Sequence, residues 1–460
     1  MNSILKPLVL IYQFFYRVFW SGLNQRNIFQ LILNFCINFS PVFIWLLIFK
    51  NAGLIPHKIR PKIHVSLAYH VDTFMFSTIQ GGITTIICLL GLSIALYRLV
   101  YQRKTKSHQN NTTYIPLQNQ GEQQEYNENT NPYEDDFRLS SSDSASDVEL
   151  ESFPKELSKA IDPPPLDFQN DHHHQPFVLI PNLTPIEIGA MAQSINEKII
   201  ENHQKTGIYS PINCWYFLPP LLISTSWFIL NFVHWLKDPI RQWEDYMAWV
   251  SYVLGHITVP IVTAVWLYVF QAPGALKSYS LALGLMNICG VLTHLVFPNA
   301  PPWFIHLNGE DAYADYDTPG YAAGLIRVDV ALGTHITSKG FHASPIVFGA
   351  LPSLHSAMAV MTFLFVGYYA RWTIIKLLAF SFVCIQWWAT IYLDHHWRLD
   401  LICGMMYSIT WFTIIYKLRI IKSDAKFVKL RLSYDFNNGS TMGMRVFRNT
   451  KLQSFFDPLS

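Results

Sequence analysis

About eight apolar stretches, each near the length of a membrane span, constrain this chain more than any other feature. A bilayer core of about 30 Å takes roughly 20 residues of helix. Runs of that length bounded by charge lie near 29–49, 78–98, 214–234, 248–270, 278–298, 352–370, 373–393 and 399–417. Charged residues make up 14% of the 460, against roughly 25% in soluble domains. The expected fold is therefore an all-α polytopic membrane protein. The third run carries Pro219 and Pro220, tolerable in a span only where neighbours re-satisfy the backbone. A formal net charge of +2 gives no basic surface for nucleic acid.

Composition divides the chain into four parts. Residues 1–101 hold an apolar segment, 4–21, and two spans; Lys6 and Arg17 within that segment make it an interfacial amphipathic helix rather than a signal peptide. Residues 102–206 turn abruptly polar, with QNQGEQQEYNENTNPYEDD and SSSDSASDVELES in succession, and are expected to be a disordered insert. His172, His173 and His174 within it have no ordered surroundings to orient them toward a metal. Residues 207–420 hold the remaining six spans, and 421–460 form a C-terminal tail. Lysine and arginine collect after the second span, at the turn between the sixth and seventh, and after the eighth. With eight spans these clusters share one face, which the positive-inside rule makes cytosolic together with both termini and the insert.

The opposite, lumenal face then receives Ala300-Pro301-Pro302-Trp303-Phe304, Leu351-Pro352-Ser353-Leu354-His355-Ser356 and Asp394-His395-His396-Trp397-Arg398-Leu399-Asp400. Pro352 suits the first turn of a helix whose free amides could receive a phosphate. His396 and Asp400, four apart, would share a helix face, the carboxylate holding one imidazole nitrogen and leaving the other nucleophilic. His355 adds a second imidazole at the same level, and ionisable groups there point to function. A nucleophile, a proton carrier and nearby cations are the parts that phosphoryl transfer needs.

These residues resemble the type 2 phosphatidic acid phosphatase superfamily, whose pattern is P-S-G-H followed by S-R-x5-H-x-x-x-D. Here Leu354 replaces the glycine, Ala389 and Thr390 stand where Ser-Arg would be, and no K-x6-R-P precedes them. The P-S-L-H-S version with A-P-P-W and H-H-x-x-x-D, over about 295–405, resembles the fungal inositol-phosphorylceramide synthase branch. Stretches outside that core, among them LNQRNIFQ (24–31), PVFIWLLIFKNAGLIPHKIRPKIH (41–64) and the tail MGMRVF…FFDPLS, are similar to the mannosyl-inositol-phosphorylceramide inositolphosphotransferases of that branch.

The resemblance implies a six-helix catalytic core, a Golgi membrane, and transfer of inositol phosphate from phosphatidylinositol to a mannosylated inositol-phosphorylceramide. It makes His396 the nucleophile, Asp400 its holder and His355 the acid and base. Arg327, Lys339 and Arg398, with Ser353 as a hydroxyl donor, become the candidates for holding phosphate in place of the missing superfamily cations. No metal or cofactor is implied. Three other readings stand beside it: a first-step synthase acting on ceramide, a lipid phosphate phosphatase, and a non-catalytic transporter using His and Asp as a proton relay.

Overall fold

The computed structural model describes residues 5–24, 27–110, 183–206 and 217–460. In chain order the helices are α1 (Leu5–Leu23), α2 (Ile28–Asn51), α3 (Leu67–Ser77), α4 (Ile79–Asn110), α5 (Pro185–Thr206), α6 (Leu218–Trp235), α7 (Gln242–Trp249), α8 (His256–Phe270) and α9 (Ala275–Val296). They continue with α10 (Pro302–Asn308), α11 (Leu325–Leu332), α12 (Ile336–His342), α13 (Leu354–Tyr369), α14 (Thr373–Tyr392), α15 (Arg398–Ile415), α16 (Ile421–Leu432) and α17 (Met442–Val446). A π-helical stretch, Val250–Gly255, joins α7 to α8, and a second, Tyr416–Ile420, joins α15 to α16. The described residues contain no strand, only isolated bridges.

Among the described residues six helical stretches are long and apolar enough to cross a membrane: Ile28–Leu54, Ile79–Leu99, Gln242–Phe270, Ala275–Val296, Thr373–Tyr392 and Arg398–Leu432. The shorter apolar helices α6 and α13 bring the bundle to the expected eight. Hydrophobic run length alone locates all of them, because burial in lipid or protein demands an apolar side chain at nearly every position.

The bundle is built around α13, which packs against α8, α9, α14 and α15 and buries every residue from Ser356 to Tyr369. With only 16 residues, α13 reaches about 24 Å at 1.5 Å per residue; neighbouring helices rather than lipid surround it. α2 and α4 lie outside this group, α2 against α9 and α4 against α6. Gly284 permits the first of these contacts, since a Cβ there would stand 2.5 Å from that of Pro41.

Two features refine the sequence expectation. The polar stretch expected to be irregular over 102–206 closes with the helix α5, because Ile188, Ala192, Ile195 and Ile199 recur at helical spacing and are buried. Ile195 and Ile199 pack on Phe427, Val428, Leu432 and Leu459 of the C-terminal segment. Most of the insert, with His172, His173 and His174, lies outside the described residues. The tail beyond 420 is folded back onto the bundle: Arg431 pairs with Asp457 at 2.5 Å in a nearly solvent-free setting, and Arg371 donates to the carbonyls of Phe455, Asp457 and Ser460. Arg17 of α1 donates to Val446 O, and Leu8, Ile11, Tyr12, Phe15 and Phe19 are exposed on α1.

Candidate active site

At the end of the bundle where α13 and α15 begin, three distant segments are knitted together. His64 N–H donates to Pro298 O, Ala300 N–H to His64 O, and Asn299 N–H to Phe348 O. These bonds fix the chain around Ala350, whose carbonyl enters the site. Gly404 lets α15 come close, as a Cβ there would lie 2.2 Å from Ser353 O. Ser356 Oγ donates to Leu401 O and accepts from Trp387 Nε1, so α13, α14 and α15 are tied at one level, beside the histidines.

His396 precedes α15 rather than lying on it, because the helix starts at Arg398 and the carboxylate of Asp400 accepts the Trp397 N–H as a cap. Even so, the two side chains meet. His396 Nδ1 is 3.1 Å from Ala350 O and 3.5 Å from Asp400 Oδ2. The Ala350 carbonyl can only accept, so Nδ1 carries the proton and Nε2 keeps a lone pair. Burial pushes the His396 pKa down to about 4, so this imidazole is neutral near neutral pH. The His355 ring lies 5.7 Å from that of His396, centroid to centroid.

Asp400 is fully buried and its Oδ1 has no partner. Since Ala350 already holds the tautomer, Asp400→Asn is expected to slow turnover by roughly 10- to 100-fold, well short of the loss seen when a triad carboxylate alone orients its histidine. Transfer rates at matched abundance check this; a rate within twofold of wild type contradicts a supporting role for the carboxylate.

Of the four residues expected from sequence to hold phosphate, Arg398 and Ser353 are engaged by neighbours, Lys339 lies exposed, and Arg327 is paired through Nε while its buried Nη2 has no partner. Arg398 donates through Nε and Nη2 to Asp72 Oδ2 and through Nη1 to Asn231 Oδ1, with its guanidinium over the Phe76 ring. Arg327 Nε donates to Asp245 Oδ1 at 2.7 Å, and its guanidinium lies over the Tyr392 ring. Lys339 is exposed on α12. Ser353 is entirely buried as the cap of α13, where its Oγ accepts the Ser356 N–H and its own N–H donates to Asp400 O. Pro352 accordingly stands before the cap, outside the first turn.

Sequence reasoning missed several groups that share the site. Tyr252, projected by the π-helical stretch, stacks on His355 at 4.0 Å and on His395 at 5.0 Å; π-bulges recur at functional sites. The His256 ring is 4.8 Å from that of His355. His294 Nε2 donates to Pro352 O at 2.8 Å, bracing the loop that carries Ala350. Imidazoles inside apolar runs were a usable signal for both. Among the described residues no group of three or more His, Cys, Asp or Glu is arranged to hold a metal ion. A cavity of about 170 Å³ opens beside His395 and His396, walled mainly by Trp303, Tyr321, Phe341 and Ile346.

On the outer side of the same loop, His306 Nδ1 and Asp394 Oδ2 pair at 2.8 Å. The hydrogen bond to Asp394 raises the His306 pKa above its ordinary value. A histidine whose folded pKa is raised stabilises the fold fully below the unfolded pKa, near 6.5, and loses that contribution as pH climbs through the raised value. The pair is half-exposed, so the effect is small. The melting-temperature gap between wild type and His306→Gln should therefore narrow as pH rises past neutrality; a gap that does not change with pH contradicts the pairing.

The bundle and its site place the chain among the membrane enzymes of the type 2 phosphatidic acid phosphatase class: residues 222–414 match the PAP2 superfamily. The sequence is 30% identical to Inositolphosphotransferase 1 of Saccharomyces cerevisiae over 96% of this chain and 97% of that protein. It is 41% identical to the inositol phosphorylceramide synthase of Candida albicans over 36% of this chain and 35% of that protein, and 42% identical to the Saccharomyces cerevisiae synthase catalytic subunit over 38% and 42%. The chain belongs to the inositolphosphotransferase family and is a phosphotransferase. No solved structure matches it.

Proposed function

We propose that the protein transfers inositol phosphate from phosphatidylinositol to a mannosylated inositol-phosphorylceramide, releasing diacylglycerol, in two displacements at His396. In the first, Nε2 attacks the phosphodiester phosphorus, a P–N bond forms, the P–O bond to diacylglycerol breaks, and the leaving oxygen takes a proton from His355. In the second, a mannose hydroxyl gives its proton to His355, attacks phosphorus and breaks the P–N bond. The observation carrying this reading is the state of His396: Nδ1 hydrogen-bonded to Ala350 O with Asp400 3.5 Å away, a neutral ring on the lining of a cavity, and the His355 ring 5.7 Å from its own.

The extent of likeness supports this acceptor. Similarity to the yeast inositolphosphotransferase runs over 96% of the chain, whereas similarity to the synthases is confined to about the core. A trapping experiment tests the intermediate. With donor labelled in the inositol ring and no acceptor, label should remain on the wild-type chain in an acid-labile bond and be absent from His396→Ala; equal labelling of both excludes His396 as nucleophile.

The proposed setting is a Golgi membrane with the histidines lumenal and both termini cytosolic. Asn438, in the sequon Asn438-Gly439-Ser440, is exposed on the C-terminal segment and should therefore carry no glycan in cells. Loss of mass on glycosidase treatment that disappears in Asn438→Gln would reverse the orientation.

A further inference from the structure

His395, next to the proposed nucleophile, is used by neither displacement, yet it is held as firmly. It is 5% exposed, and its ring lies between Tyr252 at 5.0 Å and Phe341 at 4.7 Å, nearly parallel to both. It hydrogen-bonds the Ala322 carbonyl, while Nε2 has no partner, so the bonded nitrogen is Nδ1. A carbonyl only accepts, which places the ring proton on Nδ1 and leaves Nε2 a buried, unsatisfied acceptor on the wall of the cavity. Burial keeps the imidazole neutral, with its pKa lowered to about 3.

An acceptor is the wrong partner for phosphate, whose oxygens also accept, and the right partner for a hydroxyl. Trp303 and Tyr321, with ring centroids 5.5 Å apart, supply apolar faces in the same cavity for the C–H surface of a cyclic polyol. We infer that this cavity is the subsite for the inositol ring, and that His395 Nε2 accepts a hydrogen bond from one ring hydroxyl. The inference rests on the proposed transfer reaction. It favours inositol over the acceptor's mannose because the cavity is shared with His396, to which the inositol phosphate is attached between the two displacements.

The test compares glycerophosphoinositol with glycerophosphate as inhibitors of transfer by the detergent-solubilised full chain. Wild type should bind the inositol compound more tightly by roughly 10- to 100-fold, the range for one buried hydrogen-bonding group satisfied or left unpaired. His395→Asn keeps a donor for Ala322 but withdraws the acceptor, and should bring the two inhibitors to within a few-fold of each other. His395→Gln, whose amide oxygen reaches the Nε2 position, should keep most of the preference. Unchanged preference in an active Asn variant overturns the assignment, as does a variant whose KM changes only for the acceptor. Where the Asn variant does not fold, the Gln variant and donors lacking single ring hydroxyls decide: one hydroxyl should dominate, and equal use of the whole series contradicts the subsite. Transfer that survives His396→Ala would instead remove the reaction itself, so the two failures are separable.

Discussion

His396→Ala should leave a folded chain whose transfer activity is lower by at least roughly 10³-fold, the scale on which enzymes lose turnover when the nucleophile of a covalent mechanism is deleted. The fold has little reason to suffer. His396 sits in a connecting segment before α15, and its one close hydrogen bond goes to Ala350 O, a carbonyl that a water can satisfy in its place. Melting temperature and detergent monodispersity should stay close to wild type while label transfer disappears. A variant that melts early and loses activity in proportion would make His396 a packing residue. His355→Ala should come next, by roughly 10²- to 10⁴-fold, since it removes the acid and base but leaves the nucleophile.

Arg398→Ala should have the opposite signature. The guanidinium is 8% exposed and Asp72 is 4% exposed, and the pair joins α15 to α3 across the bundle, with Leu399 N–H adding a third bond to the same carboxylate. Removing one member of a buried pair strands the other and costs about 3–5 kcal/mol. The expected result is a large fall in melting temperature and in abundance, with KM for phosphatidylinositol unchanged in whatever folds. If Arg398 held the donor phosphate instead, KM would rise in a chain of normal stability. Parallel melting curves and donor titrations separate the two outcomes.

The spans were legible because each is a statement about solvent: a residue facing lipid or a packed neighbour must be apolar, and about 20 in a row announce themselves. His355, His396 and Asp400 were legible because ionisable groups at span ends stand out against that background. The partners of the cations were not legible. Arg398 and Arg327 look available in the sequence, but their partners Asp72 and Asp245 lie 326 and 82 residues away, and no local pattern links them. Likewise the acceptor that fixes the His396 tautomer is the backbone carbonyl of Ala350, which has no side-chain signature. Pro352 marked the right neighbourhood but not its own place, because the helix starts two residues later than the pattern suggests, with Ser353 as its cap.

Arg398 and Ser353 are engaged by neighbours, Lys339 is exposed on α12, and Arg327, paired through Nε, keeps a buried Nη2 without a partner. The chain lacks the K-x6-R-P and Ser-Arg pattern of the superfamily. Trp303, Tyr321 and Phe341 line the cavity beside His396.

Transfer itself is the most direct measurement: detergent-solubilised membranes containing the chain, phosphatidylinositol labelled in the inositol ring, and either mannosyl-inositol-phosphorylceramide or ceramide as acceptor, each with a His396→Ala control. The account predicts label on the mannosylated acceptor alone, dependent on His396. Label on ceramide, or release of free inositol phosphate with neither lipid labelled, would contradict it.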